Sequence, residues 1–478
     1  MKPRSKKSAA LMDPATTMPR PRKKSRQSGS ARVGQPKQRD ALMEQSLPAT
    51  GYELPVTKNP SVQLDVVGPT GNPGSSGLAA LAVGLARRLA DGSVDDNLVF
   101  SPLSIYTALA LLAAGARDAT LDEILRVLGA RSRSELENFV SHMAADALQD
   151  RSASGGPRIA FACGIWSDLT RCLKLSFREA VVGTYKAEAS SVDFRGTPEA
   201  ARSQINGWAA QVTRNLIDSV LPAGSISPAT RVVLGNAMYF KGNWEDQPFD
   251  KRHTAHEPFY RLDRSQVDVP FMQSSDSQFV AVHDGFKVLM LQYKMAAPDY
   301  QEQATSNSDH SGHTQFSMCI FLPDAHDGLL GLLDTIASRP GFLQDHLPEV
   351  QITLSEFRVP KFKLSFHSSV VAVLKKLGLE LPFCLEGDLA DMVEDDGSGL
   401  PIVVEDVIHK AVVEVNEEGT EAAAVTMVIS APRCARRGRR PPPPQVNFIA
   451  DHPFAYYIVE EATGAVVFAG HVVDPSKE

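Results

Sequence analysis

The chain has 478 residues, of which 43% are hydrophobic and 22% are charged, and its formal net charge is −7. This is the composition of an ordinary globular protein, which excludes a fibrous or low-complexity chain. Five cysteines without a CxxC pair exclude a zinc ribbon and a dense disulfide framework. The apolar run at 77–86 is too short to cross a membrane, which takes roughly 20 residues, so we expect no membrane partner.

The charge is unevenly distributed along the chain. Residues 1–50 hold 12 Lys/Arg and 3 Asp/Glu, so the remainder is strongly acidic, which argues against a nucleic-acid partner. Residues 1–76 are rich in Pro, Ser, Gly, Lys and Arg without periodic apolar positions, which predicts a disordered basic N-terminal extension. The run "PRPRKKSR" at 19–26 is typical of nuclear import signals, although a solvated basic tail is the simpler interpretation.

The sequence does not begin with a signal-peptide pattern. We therefore expect a cytoplasmic protein, with the nucleus as a second hypothesis because of the basic run. The extracellular space is a third hypothesis, for a protein exported without a classical signal peptide.

From residue 77 the pattern changes to a single continuous globular unit, 77–478. Residues 100–129 predict two helices, the first with Ser101 as its cap before Pro102, and the second with a capping box of Thr120 and Glu123. Residues 199–220 predict a further helix. Strands are predicted at 230–240, 286–294, 316–323, 407–415, 446–450, 455–459 and 464–473. Helices dominate the first half and strands the second, which indicates the α+β class.

Several motifs occur in an order that resembles one family. They are "NLVFSPLSI" at 97–105, "NAMYFKGNW" at 236–244, "FRVPKFKLSF" at 357–366, "VIHKAVVEVNEEGTEAAA" at 407–424 and "FIADHPFAYYI" at 448–458. With these motifs the chain is similar to the serpins, and most closely to their plant branch, over about residues 77–475. The resemblance implies an α+β serpin fold with three β-sheets, eight to nine helices and an exposed reactive loop at about 417–445.

In an inhibitory serpin the reactive loop is the bait for a protease, which cleaves it and is trapped as the loop inserts into the main sheet. The resemblance places the hinge of this loop at Glu417, Glu418, Gly419, Thr420, Glu421, Ala422, Ala423 and Ala424. Side chains alternate along a strand, so positions 420, 422, 424 and 426 would share the buried face. They are Thr, Ala, Ala and Thr, which are small enough to enter a sheet without overpacking it.

The family pattern places the reactive bond between Arg433 and Cys434. A guanidinium before the cleaved bond suits a protease whose specificity pocket carries a carboxylate, so we expect trypsin-like serine proteases as targets. Arg-specific cysteine proteases, such as metacaspases or papain-like enzymes, are alternative partners. The loop is longer than the plant pattern, and its extra stretch "CARRGRRPPPP" offers Arg436, Arg437 and Arg439 as other cleavage points.

The resemblance also assigns residues to the sheet that opens. Ser101, Ser104, Asn236 and His409 match the shutter cluster, which lies beneath the point where the strands separate. Trp244 and Glu417 match the breach, where the loop first enters.

The sequence does not favour an enzyme. It contains neither a G-x-S-x-G elbow nor an H-E-x-x-H motif, and it has neither a P-loop nor a G-x-G-x-x-G. We expect no cofactor and no metal, because "HTAH" (253–256) and "HSGH" (310–313) lack a third ligand nearby. The expected function is inhibition of proteases by a monomer. The alternative is a non-inhibitory serpin that acts as a chaperone, carrier or storage protein.

Overall fold

The computed structural model describes residues 73–91, 95–296, 314–339, 341–420 and 446–478. Nine α-helices lie within these residues: α1 (Pro73–Ala90), α2 (Pro102–Gly115), α3 (Asp118–Leu128), α4 (Arg133–Ala145), α5 (Leu175–Gly183), α6 (Pro198–Val212), α7 (Leu329–Ala337), α8 (Phe342–Asp345) and α9 (Val371–Lys376). Short 3-10 turns occur at Ser152–Ser154, Lys251–His253 and Leu381–Phe383.

Sixteen strands form three sheets in the same part of the chain. A seven-stranded sheet has the order β1 (Leu98–Phe100), β16 (Ala465–Val472), β15 (Phe454–Glu460), β9 (Phe316–Pro323), β8 (Phe286–Gln292), β7 (Gln278–His283) and β10 (Gln351–Ile352). A four-stranded sheet has the order β14 (Asn447–Ile449), β11 (Glu356–Pro360), β6 (Gln266–Gln273) and β5 (Ala255–Tyr260). The α+β class predicted from the sequence is confirmed.

The third sheet has five strands and carries the site described below. Its order is β12 (Phe362–Ser369), β13 (Asp406–Val415), β4 (Val232–Lys241), β2 (Arg158–Asp168) and β3 (Glu188–Val192). The strands β12 and β13 are antiparallel, as are β4 and β2, whereas the central pair β4 and β13 is parallel. The parallel pairing runs from Val233 opposite Asp406 to Tyr239 opposite Val412, and it stops before either strand ends.

The two faces of β4 are packed differently because side chains alternate along a strand. Leu234, Met238 and Phe240 face the main hydrophobic core, which the seven-stranded sheet and the buried helix α2 also share. Val233, Ala237 and Tyr239 belong to a second, smaller core beneath α6. A strand placed beside β4 would therefore present one face to the main core and the other to α6.

The structure corrects the sequence predictions at several helix ends. The helix predicted at 199–220 ends at Val212, and Arg214 and Asn215 then adopt left-handed backbone conformations that a helix cannot continue through. The Thr120–Glu123 capping box is wrong, because α3 begins at Asp118 and its cap position, Arg117, makes no side-chain capping bond. The Ser101 cap is confirmed, since its side chain accepts from the N–H of Ser104.

Nine of the sixteen described strands and one boundary also differ from the sequence-based picture. The strands that were not predicted are β1, β2, β3, β5, β6, β7, β10, β11 and β12. Most of β2 is buried on both faces, so its side chains show no alternation of apolar and polar residues. Helix α1 begins at Pro73, a few residues before the expected start of the globular unit. The strands β8 and β9 are antiparallel neighbours, and most of the polar stretch that joins them, 297–313, lies outside the described residues.

Candidate functional site: the hinge, the breach and the shutter

The chain doubles back on itself directly after β13. The N–H of Asn416 donates to Gly419 O at 2.8 Å, and the N–H of Gly419 donates to Asn416 O at 3.2 Å. Beyond this turn the N–H of Thr420 donates to Gly242 O at 2.6 Å, and the N–H of Trp244 donates to Glu418 O at 3.0 Å. The residues of the hinge that the structure describes thus form a short antiparallel ladder with the chain that leaves β4.

Gly419 is required at this turn for two independent reasons. Its φ is +137°, a backbone conformation that residues with a side chain rarely adopt. A Cβ atom there would lie 2.0 Å from Gly242 O and 2.6 Å from the Cα of Asn243. Both contacts are with backbone, which cannot move aside as a flexible side chain could.

Thr420 is already buried, with 1% of its surface exposed. Its Oγ1 lies 3.0 Å from Tyr293 Oη, and the ring of Tyr293 stacks on Trp244 with the ring centres 4.7 Å apart. The indole N–H of Trp244 donates to Asn416 O at 3.0 Å. The structure therefore brings the predicted breach residue Trp244 and the hinge together around Tyr293.

Two acidic side chains tie the turn to neighbouring segments. The buried Glu417 carboxylate accepts from Thr254 Oγ1 at 2.6 Å and lies 3.0 Å from Lys361 Nζ. Burial raises the pKa of Glu417, but the bonds from Thr254 and Lys361 outweigh it and hold the pKa below its ordinary value. Glu418 pairs with Lys251.

The four predicted shutter residues are in contact with one another and are fully buried. The N–H of Ser101 donates to His409 Nε2 at 2.9 Å, so Nε2 is unprotonated and the ring proton resides on Nδ1. Nδ1 donates to Asn236 Oδ1, which also accepts from Ser104 Oγ at 3.1 Å. Burial lowers the pKa of His409 to about 3, which keeps this ring neutral.

The shutter cluster joins three elements. Ser101 and Ser104 stand at the start of α2, Asn236 is on β4, and His409 is its direct partner across the parallel pair on β13. One side chain of the cluster is left incomplete, because Asn236 Nδ2 is buried without a hydrogen-bond partner among the residues that the structure describes.

Several predicted site residues lie outside the described residues: Glu421, Ala422, Ala423, Ala424, Arg433 and Cys434. Four residues that contact the hinge were not predicted from the sequence: Thr254, Lys251, Lys361 and Tyr293. Lys361 lies within the quoted motif at 357–366, and Tyr293 lies within the strand predicted at 286–294. Neither position has a feature that would have set it apart before folding.

One group of possible metal ligands occurs among the described residues, formed by His326, Asp451 and His452. The two imidazole rings stack at 4.5 Å with only 13° between their planes. An ion binds in the plane of an imidazole ring, and two stacked, nearly parallel rings do not direct their nitrogens at one shared position, so we assign no metal to the group. None of the helices in the described part of the chain has the length and apolar character that a membrane span requires.

We predict that Gly419→Ala displaces the hinge from β4. The added methyl group would strike Gly242 O, so the Thr420–Gly242 hydrogen bond should be lost together with about 1–3 kcal/mol of stability. Thermal unfolding and Trp fluorescence would both report the change, because Trp244 is bonded to the same turn. The control is Gly397→Ala, where φ is +74° but no atom lies within 4 Å of the new Cβ. Equal effects of the two variants would contradict the steric argument.

We predict that His409 makes the protein less stable in acid. The unfolded chain takes up a proton near the ordinary pKa of 6.5, whereas the folded ring resists protonation down to about pH 3. Stability from this ring is therefore full above pH 6.5 and declines as the pH falls, by about 1.4 kcal/mol per pH unit.

The measurement is urea-induced unfolding of the wild type and His409→Gln at pH 7 and pH 5. The stability advantage of the wild type should shrink by about 2 kcal/mol between these pH values. His253→Gln removes an exposed histidine and serves as the control. An unchanged advantage would show that the ring does not titrate as the structure implies.

Comparisons with known proteins agree on one family. The family model described as "Serpin (serine protease inhibitor)" matches residues 76–475. A rice protein (Oryza sativa subsp. japonica) that bears a serpin-Z8 name is 54% identical over 84% of this chain and 96% of its own. Serpin-Z2B of wheat (Triticum aestivum) is 44% identical over 80% of this chain and 91% of its own.

The solved structure of Arabidopsis AtSerpin1 in its native stressed conformation is also similar. It covers 84% of this chain and 98% of its own, with 39% identity and a TM-score of 0.73. The chain therefore belongs to the serpin family of serine protease inhibitors, and its relatives include plant serpins.

Proposed function

We propose that this serpin inhibits trypsin-like, Arg-specific serine endopeptidases as a suicide substrate. In this mechanism the protease cleaves after Arg433 and becomes acylated, and the hinge side of the loop then inserts into the five-stranded sheet. The observation that carries the proposal is the parallel pair of β4 and β13 with the hinge already turned back beside β4.

The direction of the strands supports insertion at this place. The chain turns back after β13, so its continuation runs antiparallel to β13, and also to β4, because those two strands are parallel. Insertion would therefore replace one parallel pairing with two antiparallel pairings. Antiparallel pairing is slightly more stable per residue, and the number of paired strands rises by one. Both effects favour the inserted state.

The register of the hinge supports a specific fit. Gly419 is paired with Asn243 on one side and Asn416 on the other. Continuing that register would place Ala422 opposite Phe240, and Ala424 opposite Met238, on the face of the main core. The small side chains predicted for the buried face would thus meet large side chains of β4.

The same register would place Thr426 between Asn236 and His409. Its hydroxyl could accept from Asn236 Nδ2, the buried donor that has no partner in the present arrangement. An unmade hydrogen bond of a buried donor costs about 1–3 kcal/mol. Its formation would offset part of the cost of separating Asn236 from His409, whose direct hydrogen bond an intervening strand would break.

Arg433 supports the choice of target. Its guanidinium would form a charge-assisted, bidentate pair with a carboxylate in the specificity pocket of a trypsin-like enzyme. Arg-specific cysteine proteases, including metacaspases and papain-like enzymes, are a second class of target, because they also require an arginine before the cleaved bond.

The direct test is incubation with trypsin followed by denaturing electrophoresis. We expect a band near the summed mass of the serpin and the protease, since the acyl bond survives denaturation. Complete cleavage without this band would identify a substrate or a non-inhibitory serpin, and the proposed function would be rejected.

We predict that Ala422→Arg converts the inhibitor into a substrate of trypsin. An arginine opposite Phe240 would carry an unpaired charge into the main core, which costs several kcal/mol, so insertion should stall and the acyl bond should hydrolyse. The matched variant is Glu421→Arg, whose side chain would point to the α6 face beside Glu414 and should reduce trapping far less. The stoichiometry of inhibition of trypsin measures the loss of trapping in each of the two variants. Equal losses would refute the register.

We predict that Arg433→Ala abolishes inhibition of trypsin and leaves the thermal stability of the free protein unchanged. The other arginines make mass spectrometry of the released C-terminal peptide a necessary companion measurement. We expect this peptide to begin at Cys434 in the wild type. A peptide that begins at Arg437 or Gly438 would move the reactive bond along the loop.

A further inference from the structure

The end of the β4–β13 pair that lies opposite the hinge, at Val232 and Glu405, is called here its foot. It is held by a side chain that was not predicted to have a role. The carboxylate of Glu405, just before β13, accepts from the N–H of Arg231 at 2.9 Å and from the N–H of Val232 at 2.8 Å. The N–H of Glu405 donates to Val232 O at 3.0 Å. Glu405 therefore bridges the two strands at the end opposite the hinge.

The Glu405 bridge lies at the far end of the path that the loop would follow during insertion. The register that pairs Gly419 with Asn243 and Asn416 would place Val428 between Leu234 and Val407. Two residues later it would place Ser430 between Val232 and Glu405. An inserted loop would therefore reach the bridge only in its last step.

The bridge and the inserted strand would satisfy the same backbone groups. At present Val232 N–H and Val232 O are both bonded to Glu405. In the inserted sheet, the ladder between β4 and the loop would bond them instead. Removing the Glu405 carboxylate would therefore leave the N–H of Val232 without this acceptor in the closed sheet, whereas in the inserted sheet the ladder would supply one.

We propose that Glu405 is a positioning residue that opposes the completion of loop insertion, and so sets how far the sheet opens before the loop reaches its foot. The inference rests on the proposed suicide mechanism. Because the carboxylate stabilises the closed sheet selectively, its removal lowers the barrier to full insertion without altering the first contacts of Thr420 at the hinge.

The environment of the carboxylate limits the size of the effect. Much of the residue is exposed, but partial burial of the carboxyl raises its pKa, while the N–H groups of Val232 and Arg231 act in the opposite direction. The two hydrogen bonds are therefore partly offset by lost hydration. We expect a change of about tenfold, the factor typical of one charge-assisted hydrogen bond.

The test uses two fluorescein-labelled peptides added in trans to the full-length protein. The long peptide has the sequence of residues 420–430, "TEAAAVTMVIS", and would reach the Glu405 bridge. The short peptide has the sequence of residues 420–428, "TEAAAVTMV", and would stop at Leu234 and Val407. Native gel electrophoresis follows the rate at which each peptide anneals to the wild type, Glu405→Ala, Glu405→Gln and the exposed control Glu349→Ala.

We expect Glu405→Ala to accelerate annealing of the long peptide about tenfold and to leave the rate of the short peptide unchanged. Glu405→Gln keeps one acceptor oxygen and should fall between the alanine variant and the wild type. Equal acceleration of both peptides would show only a general loss of stability and would overturn the inference, as would no acceleration of either.

The wild type alone tests the mechanism on which the inference rests. Annealing of both peptides to the wild type supports strand insertion whatever the Glu405 variants do. If neither peptide anneals to any of the proteins, strand insertion itself is rejected, and the role of Glu405 is rejected with it.

Discussion

The arrangement of the site depends on one feature of the backbone, the parallel pairing of β4 with β13 in the middle of the five-stranded sheet. A tight turn reverses the chain, so the segment after β13 can only run antiparallel to its parent strand. Since β4 is parallel to that strand, the returning segment matches both neighbours at once. A central antiparallel pair would offer a returning chain one antiparallel and one parallel neighbour.

Three sets of contacts hold this pair, and each uses different chemistry. At the hinge end, backbone hydrogen bonds join Glu418 to Trp244 and Thr420 to Gly242. The chain that returns after β13 is therefore already paired with the chain that leaves β4. In the middle, the neutral ring of His409 reaches Asn236 beneath the sheet. At the foot, backbone groups of β4 depend on the Glu405 side chain. Under the proposed mechanism, these differences would favour a separation of β4 and β13 that starts at the hinge and proceeds toward Glu405.

The sequence motifs made many residues of this site predictable. The resemblance grouped Ser101 and Ser104 with the distant Asn236 and His409 because each sits in a recognisable motif, and hydrogen bonds join these side chains in the structure. The burial of Thr420 before any cleavage could not be predicted, because it depends on the distant ring of Tyr293. Glu405 was missed for a similar reason, since its partners are backbone N–H groups and leave no trace in the residue type.

The face of the sheet beneath α6 imposes the final constraint on insertion. The chain that follows α6 is tied across this face, with Asp218 2.7 Å from Lys410 Nζ and Val220 O 3.0 Å from His367 Nε2. A Cβ at Gly235 would already lie 3.2 Å from Val220, so this surface has no spare room. The proposed register would bring Met427 beside Gly235. Under the proposed insertion, the small side chains of the hinge would therefore fit the main-core face only. On the other face, the segment after α6 would have to move before the loop could reach Glu405.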